Sequence, residues 1–183
     1  DNSLKKAFIF DFDGTLVDSR KTIRKCFQKV TEELAPDRVS YAKNILIGPA
    51  LSEAASEILG IENQRKLSEF VKLFIEFHDK QAHLTTKPFL NVVKTLKKFH
   101  QSNIPMSIAT NKSQSPTMKF IKYYGWEQYF KRIECSDSIT QNQNKGQMIK
   151  NILKLNPEFK SSFFVGDTIS DALAAKKNEL KFI

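Results

Sequence analysis

A chain of 183 residues that is 40% hydrophobic, with 15 Phe and only 6 Gly and 6 Pro, can bury one core, or a core carrying a smaller insert, and is neither low-complexity nor collagen-like. Lys and Arg total 29 against 20 Asp and Glu, a formal charge of +9; the lysines are scattered along amphipathic segments without an Arg-rich arm, an RNP-like aromatic motif or zinc-finger spacing, so a solvated basic surface is expected rather than a nucleic-acid partner. Cys26 and Cys135 sit in unrelated segments, which suggests neither a disulfide framework nor a Cys-based metal site and suits a reducing cytoplasm, while no apolar run approaches the roughly 20 residues of a membrane span and no signal peptide is read at the start.

Residues Ala7 to Asp11 alternate Phe8 and Phe10 with Ala7 and Ile9, apolar on both faces, which predicts a buried central strand. Asp11 and Asp13 follow at its carboxyl end and point the same way in extended chain before Gly14 breaks the strand. From Ser19 the period turns helical through Ile23, Phe27, Val30 and Leu34, stopping before Pro36. Further helical clusters follow at Leu51, Ala55, Ile58 and Leu59, and at Leu67, Phe70, Val71, Phe74 and Phe77, so residues 19–84 read as helices alone. After Pro88, helix and strand alternate. Helices are carried by Val92, Val93, Leu96 and Phe99, by Met118 and Ile121 up to Gly125, and by Met148, Ile149, Ile152 and Leu153. Strands fall at Met106 to Ala109, Ile133 to Cys135 and Phe163 to Val165. This alternation predicts an α/β fold, a parallel sheet covered by helices. The core occupies 1–17 and 87–183, interrupted after its first strand by an all-helical insert at 18–86.

Four segments place polar residues after an apolar run or at a helix start: DFDGT at 11–15, ATNK at 109–112, NKG at 144–146 and GDTISD at 166–171. Ligands of open α/β sheets bind beyond the carboxyl ends of the strands, where Asp11, Asp13, Thr110 and Asp167 can converge, with Lys145 entering from a helix start. Three carboxylates repel one another, and repel a phosphate more, unless a cation neutralises them; oxygen ligands beside a phosphate suit Mg²⁺ better than Zn²⁺. With such a cation one Asp can attack phosphorus and a second can protonate the leaving group and later activate water. Thr110 and Lys145 supply a hydroxyl donor and a positive charge for the phosphoryl oxygens.

Taken in order, DxDGT, the Thr, the Lys and GDxxxD resemble the four motifs of the haloacid dehalogenase superfamily of phosphotransferases, over nearly the whole chain. The insert, the loop KNILIGPAL at 43–51 and TNK at 110–112 are similar to its phosphoglycolate-phosphatase-like branch. The resemblance implies a doubly wound, Rossmann-like core with a helical cap domain, and a phosphatase acting on a small-molecule phosphate ester. It implies Asp11 as the nucleophile that becomes an aspartyl phosphate, Asp13 as acid/base, and Thr110 and Lys145 as the other catalytic residues. Mg²⁺ would be the cofactor, bound by Asp11, the Asp13 backbone carbonyl and Asp167, with Asp171 in support. Gly14, Thr15 and Asn111 would sit beside the substrate, and Gly48 and Pro49 would face it from the cap loop Ile47 to Glu53. Neither nucleic acid nor membrane is an expected partner. The name-giving dehalogenases lack the second aspartate of the first motif, so Asp13 favours a phosphate over a halide. Gly146 stands where the family's lysine motif has Pro, and the resemblance implies a further strand and a closing helix beyond LKFI.

A phosphoacceptor receiver domain also combines an Asp cluster, Thr and Lys on a parallel sheet, but it has no helical insert after its first strand and no use for Asp13. A sugar phosphomutase of the same superfamily is the nearer alternative. The loop IGPALSE at 47–53 contains no Arg or Lys to clamp a second phosphate, although Lys43 lies upstream. His78, His83 and His100 have no carboxylate or Cys at ligand spacing and are expected at surface or interhelix positions without a role.

Overall fold

The computed structural model describes residues 6–138 and 143–183. Strand β1 (Phe8–Phe10) is followed by β2 (Val17–Asp18) and then by four helices, α1 (Arg20–Leu34), α2 (Val39–Asn44), α3 (Leu51–Leu59) and α4 (Leu67–Thr85). The chain returns through β3 (Lys87–Pro88) to α5 (Val92–Gln101), β4 (Met106–Ala109), α6 (Gln114–Tyr123) and β5 (Ile133–Glu134). It finishes with α7 (Lys145–Leu155), β6 (Phe163–Val165), α8 (Ile169–Lys177) and β7 (Lys181–Phe182), the last lying within LKFI itself. No helix among the described residues is long and apolar enough to cross a membrane.

The main sheet is parallel, in the order β5-β4-β1-β6-β7. The central place of β1 follows from its two apolar faces. Ala7 and Ile9 pack with Met148, Ile149, Phe164 and Ala175 beneath α7 and α8, while Phe10 packs with Ile108, Phe120 and Trp126 on the side of α5 and α6. Phe8 is held between Phe99 and Phe163, with ring centroids 4.9 and 5.5 Å away. From β1 the chain goes first to β4 and β5 on one side and then to β6 and β7 on the other, so the topological switch point, and the crevice that goes with it, lies beside β1. One strand is shorter than its apolar run: the Cys135 N–H leaves the ladder and donates to Ser138 Oγ at 2.8 Å, so β5 stops at Glu134.

The helical segment leaves and rejoins the core through one ribbon, in which β2 pairs antiparallel with β3, Val17 opposite Pro88 and Asp18 opposite Lys87. Its helices share apolar packing of their own: Ile23, Phe27 and Val30 of α1, Ala55, Ile58 and Leu59 of α3, and Phe70 and Phe74 of α4, with the Phe27 and Phe74 rings 4.6 Å apart. Those positions recur at three and four residues, the helical repeat read from the sequence. Against the sheet side, α4 makes polar contacts, the Asp79 carboxylate accepting from Ser115 Oγ at 3.0 Å and Lys119 Nζ at 3.1 Å.

If residues 18–86 form a domain of their own, a cavity in this packing should be felt locally. Phe70 is fully buried, so Phe70→Ala should cost about 3–5 kcal/mol in chemical unfolding. Hydrogen exchange should quicken in α1, α3 and α4 before it does in β1, β4 and β6; uniform quickening would mean one cooperative unit.

Candidate active site

The loop after β1 is shaped by Phe12, which is buried with its ring edge-on to Phe120 at 5.2 Å. Side chains alternate in extended chain, so anchoring Phe12 in the core turns Asp11 and Asp13 toward the crevice. The Asp11 N–H still donates to Val165 O at 2.8 Å, which keeps its side chain at the strand end. Gly14 has φ +85°, and a Cβ there would lie 2.3 Å from Asp167 Oδ2; only glycine allows both the turn and the close approach of the GD loop.

Lys145 is the first residue of α7, where Asn144 caps the helix by accepting from Gln147 N at 2.9 Å. The chain after β6 turns into α8 through a capping box between Thr168 and Asp171. Gly166 precedes it because a Cβ would come within 2.6 Å of the Asp171 side chain. Asp171 Oδ2 takes three hydrogen bonds, from Thr168 Oγ1 at 2.7 Å, Thr168 N at 3.0 Å and Asp167 N at 3.2 Å. Its Oδ1 accepts from Lys145 Nζ at 2.5 Å, and the same ammonium donates to Asp11 Oδ1 at 2.8 Å. Asp11, Lys145 and Asp171 are all buried.

The other two carboxylates have partners of their own. Asp13 accepts from Lys112 Nζ with both oxygens at 3.2 Å, and Asp167 accepts from Arg20 Nη2 at 2.9 Å and Thr15 Oγ1 at 3.3 Å. Carboxylate oxygens of Asp11, Asp167 and Asp171 lie within 4.8 Å of one another. All are hard oxygen donors, and the glycine at position 14 leaves the Asp167 carboxylate room beside them, so the set fits a small divalent cation of the Mg²⁺ type. Asp171 differs within it, since both its oxygens are engaged by Lys145 and by the turn into α8. Burial pushes the Asp11 carboxyl up to about 7 against the opposing pull of Lys145; burial also pulls Lys145 down, but the Asp11 and Asp171 carboxylates together outweigh it and raise the ammonium.

A cavity between the helical segment and the sheet reaches Asp11, Asp13 and Thr110 from below and Ile23, Phe27, Ile47, Phe74 and Ile75 from above. Thr110 is buried, its Oγ1 accepting from Lys112 N at 3.1 Å. Asn111 Nδ2 donates to Gly48 O at 2.9 Å, closing the loop of Gly48 and Pro49 over the crevice. The structure thus brings together Asp11, Asp13, Gly14, Thr15, Gly48, Pro49, Thr110, Asn111, Lys145, Asp167 and Asp171. Gly146 does not loosen the lysine: Asn178 Nδ2 donates to its carbonyl at 3.1 Å, and a Cβ there would meet Asn144 Oδ1 at 3.3 Å.

Three contacting groups carried no role in the sequence reading: Arg20, Lys112 and His78. Lys112 Nζ lies 3.2 Å from His78 Nε2 as well as on Asp13. A signal for His78 was present, because Phe70, Phe74, His78 and Ala82 are the buried residues of α4 at a spacing of four, which places a histidine on an otherwise apolar face.

The model of the haloacid dehalogenase-like hydrolase family matches residues 8–183. A phosphoglycolate phosphatase of Photobacterium profundum is 34% identical over 135 residues, which are 68% of this chain and 58% of that protein. The pyrophosphatase PpaX of Listeria welshimeri is 26% identical over 174 residues, covering 93% of this chain and 78% of that one. Among solved structures, a haloacid dehalogenase-like family protein of Streptococcus pneumoniae superposes with a TM-score of 0.80 at 22% identity, over 98% of this chain and 84% of that chain.

The displaced Asp11 titration has a sign that can be measured. Between the ordinary value of 3.8 and the folded value of about 7, the unfolded chain has lost a proton that the folded protein keeps, so Asp11 makes stability fall as pH rises through that window. Asp11→Asn, scanned thermally in chelator, should therefore raise the unfolding midpoint at about pH 8 and leave it nearly unchanged below about pH 4. An equal shift at both would contradict a burial effect on ionisation.

Proposed function

This chain belongs to the haloacid dehalogenase-like hydrolases and is a phosphoric monoester hydrolase, and we propose that it cleaves a small phosphate ester through an aspartyl phosphate formed on Asp11. The observation that carries the mechanism is the pairing of Asp11 Oδ1 with the buried Lys145 ammonium at 2.8 Å, which fixes one oxygen and leaves the other to attack. In the first half-reaction an Asp11 oxygen bonds to phosphorus as the bond to the leaving oxygen breaks, and Asp13 gives that oxygen its proton. In the second, the Asp13 carboxylate takes a proton from water, whose oxygen attacks phosphorus and frees Asp11 and inorganic phosphate. Thr110 and Lys145 face the phosphoryl oxygens where negative charge builds. Mg²⁺, held by Asp11, Asp167 and the Asp13 carbonyl, with Asp171 behind them, would neutralise the carboxylates and withdraw charge from the phosphoryl group.

Residues 18–86 act in this reading as a cap domain over a core at 1–17 and 87–183, with Gly48 and Pro49 closing the site and the cavity beneath admitting a small leaving group. Two relatives are named for phosphoglycolate and pyrophosphate, which supports a small substrate. Hydrolysis is favoured over a phosphomutase because, among the cavity's lining residues, Lys112 is the cation and it is tied to Asp13. Among the described residues, that lining offers a second phosphate no further Lys or Arg.

Incubation with p-nitrophenyl phosphate and Mg²⁺, followed by acid quench and peptide mass analysis, should place a phosphoryl group on Asp11; label on a Ser or His would overturn the mechanism. Asp11→Asn should fold and be inactive. Chelation should abolish turnover and Mg²⁺ should restore it. Ca²⁺, with longer bonds and more ligands, should bind without comparable rates.

A further inference from the structure

We propose that His78 is a positioning residue for the acid/base Asp13: from helix α4 it anchors the Lys112 ammonium that holds the Asp13 carboxylate. The inference rests on the reading of Asp13 as the group that moves the proton.

The geometry is complete at the ammonium. Lys112 Nζ has three protons and three acceptors, the two Asp13 oxygens at 3.2 Å each and His78 Nε2 at 3.2 Å. A lysine ammonium has no lone pair, so His78 Nε2 must be the acceptor and the ring must be neutral. Its setting agrees: the imidazole is 2% exposed and stacks on Phe74 at 5.6 Å. Burial, with Lys112 alongside, pushes it down to about 2.

The residue type is costly at this place unless it has such a duty. The buried positions of α4 run Phe70, Phe74, His78, Ala82, where another aromatic or aliphatic side chain would fill the stripe with no polar atom to satisfy. The link also crosses from one part of the molecule to the other. Lys112 follows β4 in the sheet, whereas His78 belongs to the helical segment. Asp13 is thus held by a cation that is itself held from above, so its alignment depends on α4 being seated over the loop of residues 110–112. Removing the acceptor leaves the ammonium free to swing about Asp13, which misplaces the proton-transfer group without touching the phosphoryl site.

Four variants test this with p-nitrophenyl phosphate and Mg²⁺: His78→Leu, His78→Gln, Lys112→Met and the double variant His78→Leu/Lys112→Met. Leucine keeps the bulk and removes the acceptor, and should lower kcat about tenfold with KM little changed. Glutamine, whose amide oxygen can reach the Nε2 position, should recover most of that loss. In the Lys112→Met background, His78→Leu should add nothing, since the two act as one unit. Should His78→Leu fail to fold, His78→Asn, polar but too short to reach Lys112, replaces it with the same expectations. Wild-type kcat in the leucine variant, an equal loss in the glutamine variant, or losses that multiply in the double variant would overturn the proposal. A wild-type protein that turns over no phosphomonoester would overturn the phosphatase reading and this inference with it, whereas turnover indifferent to residue 78 overturns the inference alone.

Discussion

The site is organised by one buried charge. Lys145 lies 2.8 Å from Asp11 and 2.5 Å from Asp171 with its side chain 5% exposed, and neither carboxylate could be buried as an anion without it. Such an arrangement is poor stabilisation in itself, yet removing the ammonium would leave two buried carboxyl groups without their counter-charge and cost about 3–5 kcal/mol. Asp171 extends the effect, because its second oxygen caps α8 and gathers the Asp167 and Thr168 amides. One ammonium therefore ties the end of β1, the start of α7 and the turn after β6 into a single geometry.

The remaining carboxylates follow the same logic with decreasing rigidity. Lys112 on Asp13 is 12% exposed and Arg20 on Asp167 is 57% exposed. The outermost pair is the most solvated and the most easily exchanged. In the proposed mechanism that ordering is useful: the nucleophile is fixed in place, the acid/base is held by a cation that α4 steadies, and Asp167, whose partner sits in solvent, is the carboxylate most open to an incoming metal.

Several polar contacts join the helices to the sheet side across their seam. Neighbours on α4 divide the task, His78 meeting Lys112 while Asp79 takes Ser115 and Lys119, and Asn111 reaches up to Gly48. Among the described residues, the chain crosses the seam in the ribbon of β2 and β3. In the proposed cap-domain reading, hydrogen bonds and a two-strand ribbon would let the parts open and close more readily than a fused apolar core.

Much of this protein was legible in local sequence. The two apolar faces of Ala7 to Phe10 placed β1 in the middle of a parallel sheet, the change of period after Ser19 marked the helices, and polar residues after strand ends placed Asp11, Asp13, Thr110 and Asp167 in one crevice, because strand alternation and helical repeat are properties of neighbours in the chain. The pairing of charges was not legible. Lys112 and Asp13 are 99 residues apart, Arg20 and Asp167 are 147 apart, and Lys145 and Asp11 are 134 apart; many lysines have the same local surroundings, and only the folded chain decides which one meets which carboxylate. His78 stands between the two cases. Its spacing from Phe70 and Phe74 put it on a buried face, but that the face looks onto Lys112 was decided by how α4 packs across the loop after β4, a contact between segments that no local pattern encodes.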